Sequence, residues 1–274
     1  MGQLILSKFT DIYQMIRTSF LICLLLAFTA CRTQKITQTT SLQNGPAWGA
    51  LWQQRAAEYK ALCLQAYQLA EARVEVMSHQ QTFRPRAIVT DIDETVLDNS
   101  PFSVTSAFSG KPYSQQAWEQ WTSKAICDTV PGALSFFKYA ASTGLTIYYI
   151  TNRQESERAA TLKNLQKWGF PFADNEHLIL SSGSSDKEPR RKEVEKKYEI
   201  AMLVGDNLGD FSDVFYKKTS DERNAAVQRL HAEFGARFIM LPNVMYGDWL
   251  SSLYPKDLNA QQIDSVLRHA VKGL

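Results

Sequence analysis

Beyond Pro85 the chain carries five apolar runs of strand length: "AIVT" at 87–90, "LTIYYIT" at 145–151, "HLILS" at 177–181, "IAMLVG" at 200–205 and "RFIMLP" at 237–242. Each is separated from the next by a helical stretch. A strand that is apolar along nearly its whole length is buried on both faces. Strands of that kind alternating with helices define a parallel sheet with right-handed crossovers, a doubly wound α/β fold. Ligands in such sheets sit beyond the carboxyl ends of the strands, so polar residues at those ends are the first candidates for chemistry.

Asp91 follows the first run, Thr151 closes the second, Lys187 lies in the loop after the third and Asp206 follows the fourth. All four belong to one rim. Asp93 and Glu94 crowd further carboxylates beside Asp91 in "DIDET". Neighbouring carboxylates do not ionise cheaply together, and a hard cation relieves them. Mg²⁺ takes oxygen ligands and keeps part of its water, so one or two carboxylates with a phosphate oxygen suit it. Asp206, in "VGDNLGDF", brings a further acidic group from the next strand end. Taken singly these residues say little: "DxD" is common in surface turns, Thr151 reads as a strand-end hydroxyl, Lys187 as a solvated lysine and Asp210 as a helix cap.

The segment from 91 to 144 is longer than one crossover helix needs. "SQQAWEQWTSKAI" within it reads as a helix over the rim, part of a helical cap insert around 100–130. Upstream, Trp48, Leu51, Trp52, Tyr59, Leu62, Ala66, Leu69, Val74 and Met77 recur at helical spacing, which gives one long amphipathic helix or two in tandem over 47–80. That aromatic stripe reads as packing. The domain therefore runs from 47 to 274, and 45% apolar residues suffice for its core. Lys and Arg number 30 against 28 Asp and Glu, which gives no reason to expect a nucleic-acid polymer as partner. The four histidines show no metal spacing. No Walker loop, G-x-S-x-G elbow or zinc-type cysteine pair occurs, against an ATPase, an α/β-hydrolase or a zinc enzyme.

Residues 1–30 read as a signal peptide, with Arg17, an apolar stretch from Phe20 to Phe28 and small residues before Cys31. Met15 is an alternative start. The apolar stretch falls short of the roughly 20 residues that span a bilayer. Residues 32–46, "RTQKITQTTSLQNGP", are a polar tether. "FTAC" resembles the lipobox of bacterial lipoproteins, which implies an acylated Cys31 and a membrane anchor without a membrane span. Arg32 after it points by analogy to the outer membrane. An ordinary cleaved signal or a buried helix is the alternative. Cys63 and Cys127 read as two separate buried thiols, with a disulfide as the other option.

In order, "DIDET", "ITNR", "DKEPRR" and "VGDNLGDF" resemble the haloacid dehalogenase superfamily of phosphotransferases. "DIDETVLDNSP" with "GDNLGDF" is similar to the class C acid phosphatases of the lipoprotein 5'-nucleotidase type. The resemblance runs from the lipobox through "LPNVMYGDW", with one departure at Gly209, where relatives often show Asp. It implies an Mg²⁺-dependent phosphomonoesterase acting on nucleoside 5'-monophosphates. Asp91 would be the nucleophile and Asp93 the acid and base, with its carboxyl free and its backbone carbonyl on the metal. Thr151 and Lys187 would hold the phosphoryl group, and Asn152 the substrate. Asp91, Asp93 and Asp206 would bind Mg²⁺, with Asp210 acting through water. Trp118 and Tyr246 fall where the resembled enzymes sandwich a base; the alternative is that Trp118 and Trp121 are cap core. Arg153, Arg190 and Arg191 read as surface charges. A phosphotransferase, or a non-catalytic binding or storage protein, is the alternative function. Self-association stays open.

Overall fold

Residues 45–109, 113–254 and 258–273 are described by the computed structural model, and they all fall in one compact unit, Thr40–Leu274. The signal segment and Cys31 lie outside the described residues. Two helices open the unit, α1 (Gly45–Arg55) and α2 (Ala57–Ser78). They are in tandem because Ala56 turns extended between them, at φ −81° and ψ 124°. The strands and helices that follow are β1 (Arg86–Thr90), β2 (Leu97–Asp98), α3 (Ser100–Ser109), α4 (Gln115–Thr122), β3 (Asp128–Thr129), α5 (Ala133–Ser142) and β4 (Thr146–Ile150). Next come α6 (Arg158–Trp168), β5 (Leu178–Ile179), α7 (Glu188–Glu195), β6 (Glu199–Gly205) and α8 (Ser220–Arg229). The chain ends with β7 (Phe238–Met240), α9 (Asp248–Ser251) and α10 (Ala260–Ala270).

Five strands make one parallel sheet in the order β5-β4-β1-β6-β7. Successive side chains in a strand point to opposite faces, and both faces here are apolar. Ile88, Ile147, Tyr149, Met202 and Val204 face one core, with α2 and α5 packed on it. Ala87, Val89, Tyr148, Ile150 and Leu203 face a second, which Val194 of α7 completes. Burying one such aliphatic side chain contributes about 1.5–3 kcal/mol. The doubly wound α/β fold thus follows from strands whose central positions are apolar on both faces.

Strand order reverses between β1 and β6, and the crevice at that reversal, beyond the strand ends, is where such sheets bind ligands. Asp91 follows β1 and Asp206 follows β6. Gly205, the last residue of β6, is glycine for lack of room: a Cβ there would lie 2.3 Å from Oδ2 of Asp210. The turn after β1 is tied down from behind. Tyr67 of α2 donates its hydroxyl to the carbonyl of Thr95 at 2.6 Å, and Ile92 accepts from the amides of Val96 and Leu97. The antiparallel ribbon β2–β3 then opens and closes the insert that carries α3 and α4.

Candidate active site

Asp91 and Asp93 project to one side of the turn while Ile92 between them is buried in the core. Their partners arrive from three other strand ends. Lys187, the N-cap residue of α7, donates its ammonium to Asp91 Oδ1 at 2.5 Å and to Asp210 Oδ1 at 2.7 Å. The second oxygen of Asp210 accepts the backbone N–H of Asn207 at 2.9 Å, closing a capping box. Asp206 accepts from Asn243 Nδ2 at 2.7 Å and from the Thr95 hydroxyl at 3.4 Å. Asp91, Asp206, Asp210 and Lys187 are all buried.

Their ionisation follows from that burial. It pushes the Asp91 carboxyl up to about 6, against the pull of Lys187. Burial, then the like charges of Asp210 and Asp91, drives Asp206 well above the usual carboxylate range. Burial alone would lower Lys187, but Asp210 and Asp91 hold it above its ordinary value. Asp91, Asp206 and Asp210 each offer a carboxylate oxygen, and these atoms lie within 4.8 Å of one another. With all three ionised, one ammonium leaves two negative charges uncompensated. A divalent, oxygen-preferring ion matches both that charge and the donor set, so the residues fit the metal that the resemblance implies.

Thr151 is buried at the end of β4, with its hydroxyl 3.5 Å from Asp93 Oδ2. Asn152 is exposed beside it and accepts from Arg190 at 2.7 Å. Trp118 is only 9% exposed; it packs edge-on against Phe102, with ring centroids 5.1 Å apart, and the Arg153 guanidinium lies 5.9 Å from its ring. Tyr246 is half-buried, and its hydroxyl is sealed from solvent with no hydrogen-bond partner among the described residues. The structure thus brings Asp91, Asp93, Thr151, Lys187, Asp206 and Asp210 onto one rim and gives Trp118 a packing role as well. At Gly209 a side chain would begin 3.4 Å from Oδ2 of Asp248, so a carboxylate from α9 already lies beside the position.

Two expectations need correction. The carboxyl of Asp93 is not free: Arg153 Nη2 binds its Oδ1 at 2.7 Å and Arg153 Nε reaches both oxygens at 3.1 and 3.3 Å. Nor are Arg153, Arg190 and Arg191 surface charges; each is buried. Arg190 donates to the carbonyl of Thr151 at 2.6 Å, and Arg191 to the carbonyls of Gly209 and Asp210 at 3.0 and 2.9 Å. Lys187, Arg190 and Arg191 are spaced i, i+3, i+4, which puts them on one helical face. That spacing was the available signal, since a face carrying a rim lysine must turn inward. Among the described residues Cys63 and Cys127 are buried and form no disulfide, in line with two separate thiols.

A model of the HAD superfamily, subfamily IIIB (Acid phosphatase), matches residues 15–249, and the chain belongs to that family. The class C acid phosphatase from Bacillus anthracis has the same fold, with a TM-score of 0.82 and 39% identity over 85% of this chain and 99% of that one. The same protein with tungstate bound superposes at a TM-score of 0.81. Among sequence relatives, the stem 31 kDa glycoprotein of Glycine max is 25% identical over 139 residues, 48% of this chain and 55% of that protein. Acid phosphatase 1 of Solanum lycopersicum is 23% identical over 167 residues, 58% and 57% of the two chains. The chain spans a little over half the length of these two relatives.

The acidic rim sets an expectation for stability. The folded value of Asp91, about 6, lies above the ordinary carboxylate value of about 3.9, so folding favours its protonated form. Stability from this group is complete below about pH 4 and is lost as pH rises through about 6. The melting temperature of chelator-treated protein is expected to fall between pH 5 and 7, and Mg²⁺ to raise it more at pH 7 than at pH 5. A chelated melting curve indifferent to pH over that range, or to Mg²⁺ at pH 7, contradicts this reading of the cluster.

Proposed function

We propose that the protein is an Mg²⁺-dependent acid phosphatase that hydrolyses phosphomonoesters through an aspartyl phosphate, with nucleoside 5'-monophosphates as its substrate class. The observation that carries the reading is the buried ammonium of Lys187 bonded at once to Asp91 and Asp210. It leaves a carboxylate nucleophile fixed beside a positive charge and a divalent site. Tungstate, a tetrahedral oxyanion like phosphate, is bound by the Bacillus anthracis relative, which supports an oxyanion ligand for this chain.

In the first step an Asp91 oxygen bonds to phosphorus and the ester P–O bond breaks, with the proton of Asp93 passing to the departing oxygen. In the second, water gives a proton to Asp93 and attacks phosphorus, releasing phosphate and restoring Asp91. Lys187 offsets charge on the phosphoryl oxygens, and the Thr151 hydroxyl donates to one of them. Asp91, Asp206 and the Asp93 carbonyl would hold Mg²⁺ directly and Asp210 through water, and the ion would supply charge compensation. Asp91→Asn is expected to cut turnover of p-nitrophenyl phosphate at least about 10⁴-fold with the fold retained by circular dichroism. Residual activity within tenfold of the parent removes the covalent mechanism.

Substrate choice rests on Trp118 and Tyr246. Stacking on an aromatic ring contributes about 1–3 kcal/mol per base. Trp118→Ala is therefore expected to raise KM for nucleoside monophosphates at least about fivefold more than for a small alkyl phosphate. An equal effect on both returns Trp118 to packing alone. The membrane attachment rests on the lipobox: Cys31→Ser is expected to move the protein from the membrane fraction to the soluble one. A variant that still sediments with membranes argues against acylation at Cys31.

A further inference from the structure

Asn99 stands at the neck of the insert, between β2 and α3, and is fully buried. It joins the cap to Asp93. Its Nδ2 donates to Asp93 Oδ1 at 2.8 Å and to the Leu97 carbonyl at 3.3 Å. Its Oδ1 accepts Nε1–H of Trp121, on α4, at 2.8 Å and Sγ–H of Cys127 at 3.3 Å. Its backbone N–H donates to Glu94 Oε1 at 2.7 Å. An indole N–H only donates and a carbonyl only accepts, so these two partners allow one orientation of the amide. That orientation aims the NH₂ group at Asp93.

The two oxygens of Asp93 are consequently unlike. Oδ1 takes Asn99 Nδ2 at 2.8 Å and Arg153 Nη2 at 2.7 Å. Oδ2 has longer contacts, 3.3 Å from Arg153 Nε and 3.5 Å from the Thr151 hydroxyl. We propose that Asn99 is a positioning residue, oriented by Trp121 of the cap helix, that pins Oδ1 of Asp93 and so presents Oδ2, on the Thr151 side, for proton transfer to the leaving oxygen. The proposal rests on the reading of Asp93 as the acid. It makes the cap helix part of the acid's support as well as a wall of the substrate site.

Leaving groups test it. An alkoxide departs poorly without a proton, whereas p-nitrophenolate departs well without one, so loss of a correctly aimed acid is selective for alkyl esters. The quantity to measure is kcat/KM, which covers only the steps up to departure of the leaving group, for a nucleoside 5'-monophosphate and for p-nitrophenyl phosphate. The variants are Asn99→Ser, Trp121→Phe and Asp93→Asn, each with its melting temperature. Trp121→Phe keeps an aromatic ring in place while removing the N–H with the rest of the five-membered ring, so it serves where Asn99→Ser fails to fold. Both are expected to lose on the order of 10- to 100-fold on the nucleotide and little on the aryl ester, in the pattern of a larger loss in Asp93→Asn. If Asp93→Asn is selective while the other two lose equally on both esters, or lose nothing, the positioning role is overturned and the acid stands. If Asp93→Asn itself loses equally on both, the acid reading and the proposal fall together.

Discussion

A buried ammonium between two buried carboxylates is the interaction on which the rim depends. Ions taken out of water are stable only when paired and hydrogen-bonded, and breaking a buried pair leaves an uncompensated charge. Lys187 meets that demand for Asp91 and Asp210 together. Its position is in turn fixed by its own helix, because Arg190 and Arg191 bind main-chain carbonyls of the loops after β4 and β6. One short helix thereby holds three strand ends in register.

The sheet supplies the matching constraint from below. β1 is flanked on both sides, by β4 and β6, and the strand order reverses at its edge with β6. Asp91 and Asp206 face one another across that reversal, and Thr151 joins them from β4. From behind, Tyr67 of α2 grips the turn through Thr95, whose hydroxyl also reaches Asp206. The acidic cluster therefore sits on backbone braced by the core, which lets like charges stay close without splaying apart.

How much of this was legible follows from what each residue reports on locally. The sheet was, because strands apolar on both faces have few other solutions; the rim followed, since strand ends fix where Asp91, Thr151 and Asp206 emerge. The sequence does not show the break between α1 and α2, because Ala56 at the junction is a strong helix former with no side-chain cap. Taken singly, Arg190 and Arg191 read as surface charges, and only their spacing from Lys187 tells which way they face. Asn99 was invisible, because its partners, Asp93, Glu94, Trp121 and Cys127, are brought together only by the folded insert. The arginine on Asp93 was missed for the same reason.

The ribbon β2–β3 is the narrow door through which the insert leaves the core and returns. Adjacent antiparallel strands hold the two ends of a segment together whatever its length, and a longer loop between fixed ends adds little entropic cost. The insert is therefore a part that evolution can lengthen, trim or exchange without disturbing the sheet. Its hinge posts, however, are Asn99 and Cys127, which touch one another across the doorway. Diversification of what this scaffold accepts is thus free at the far end of the insert and strict at the threshold.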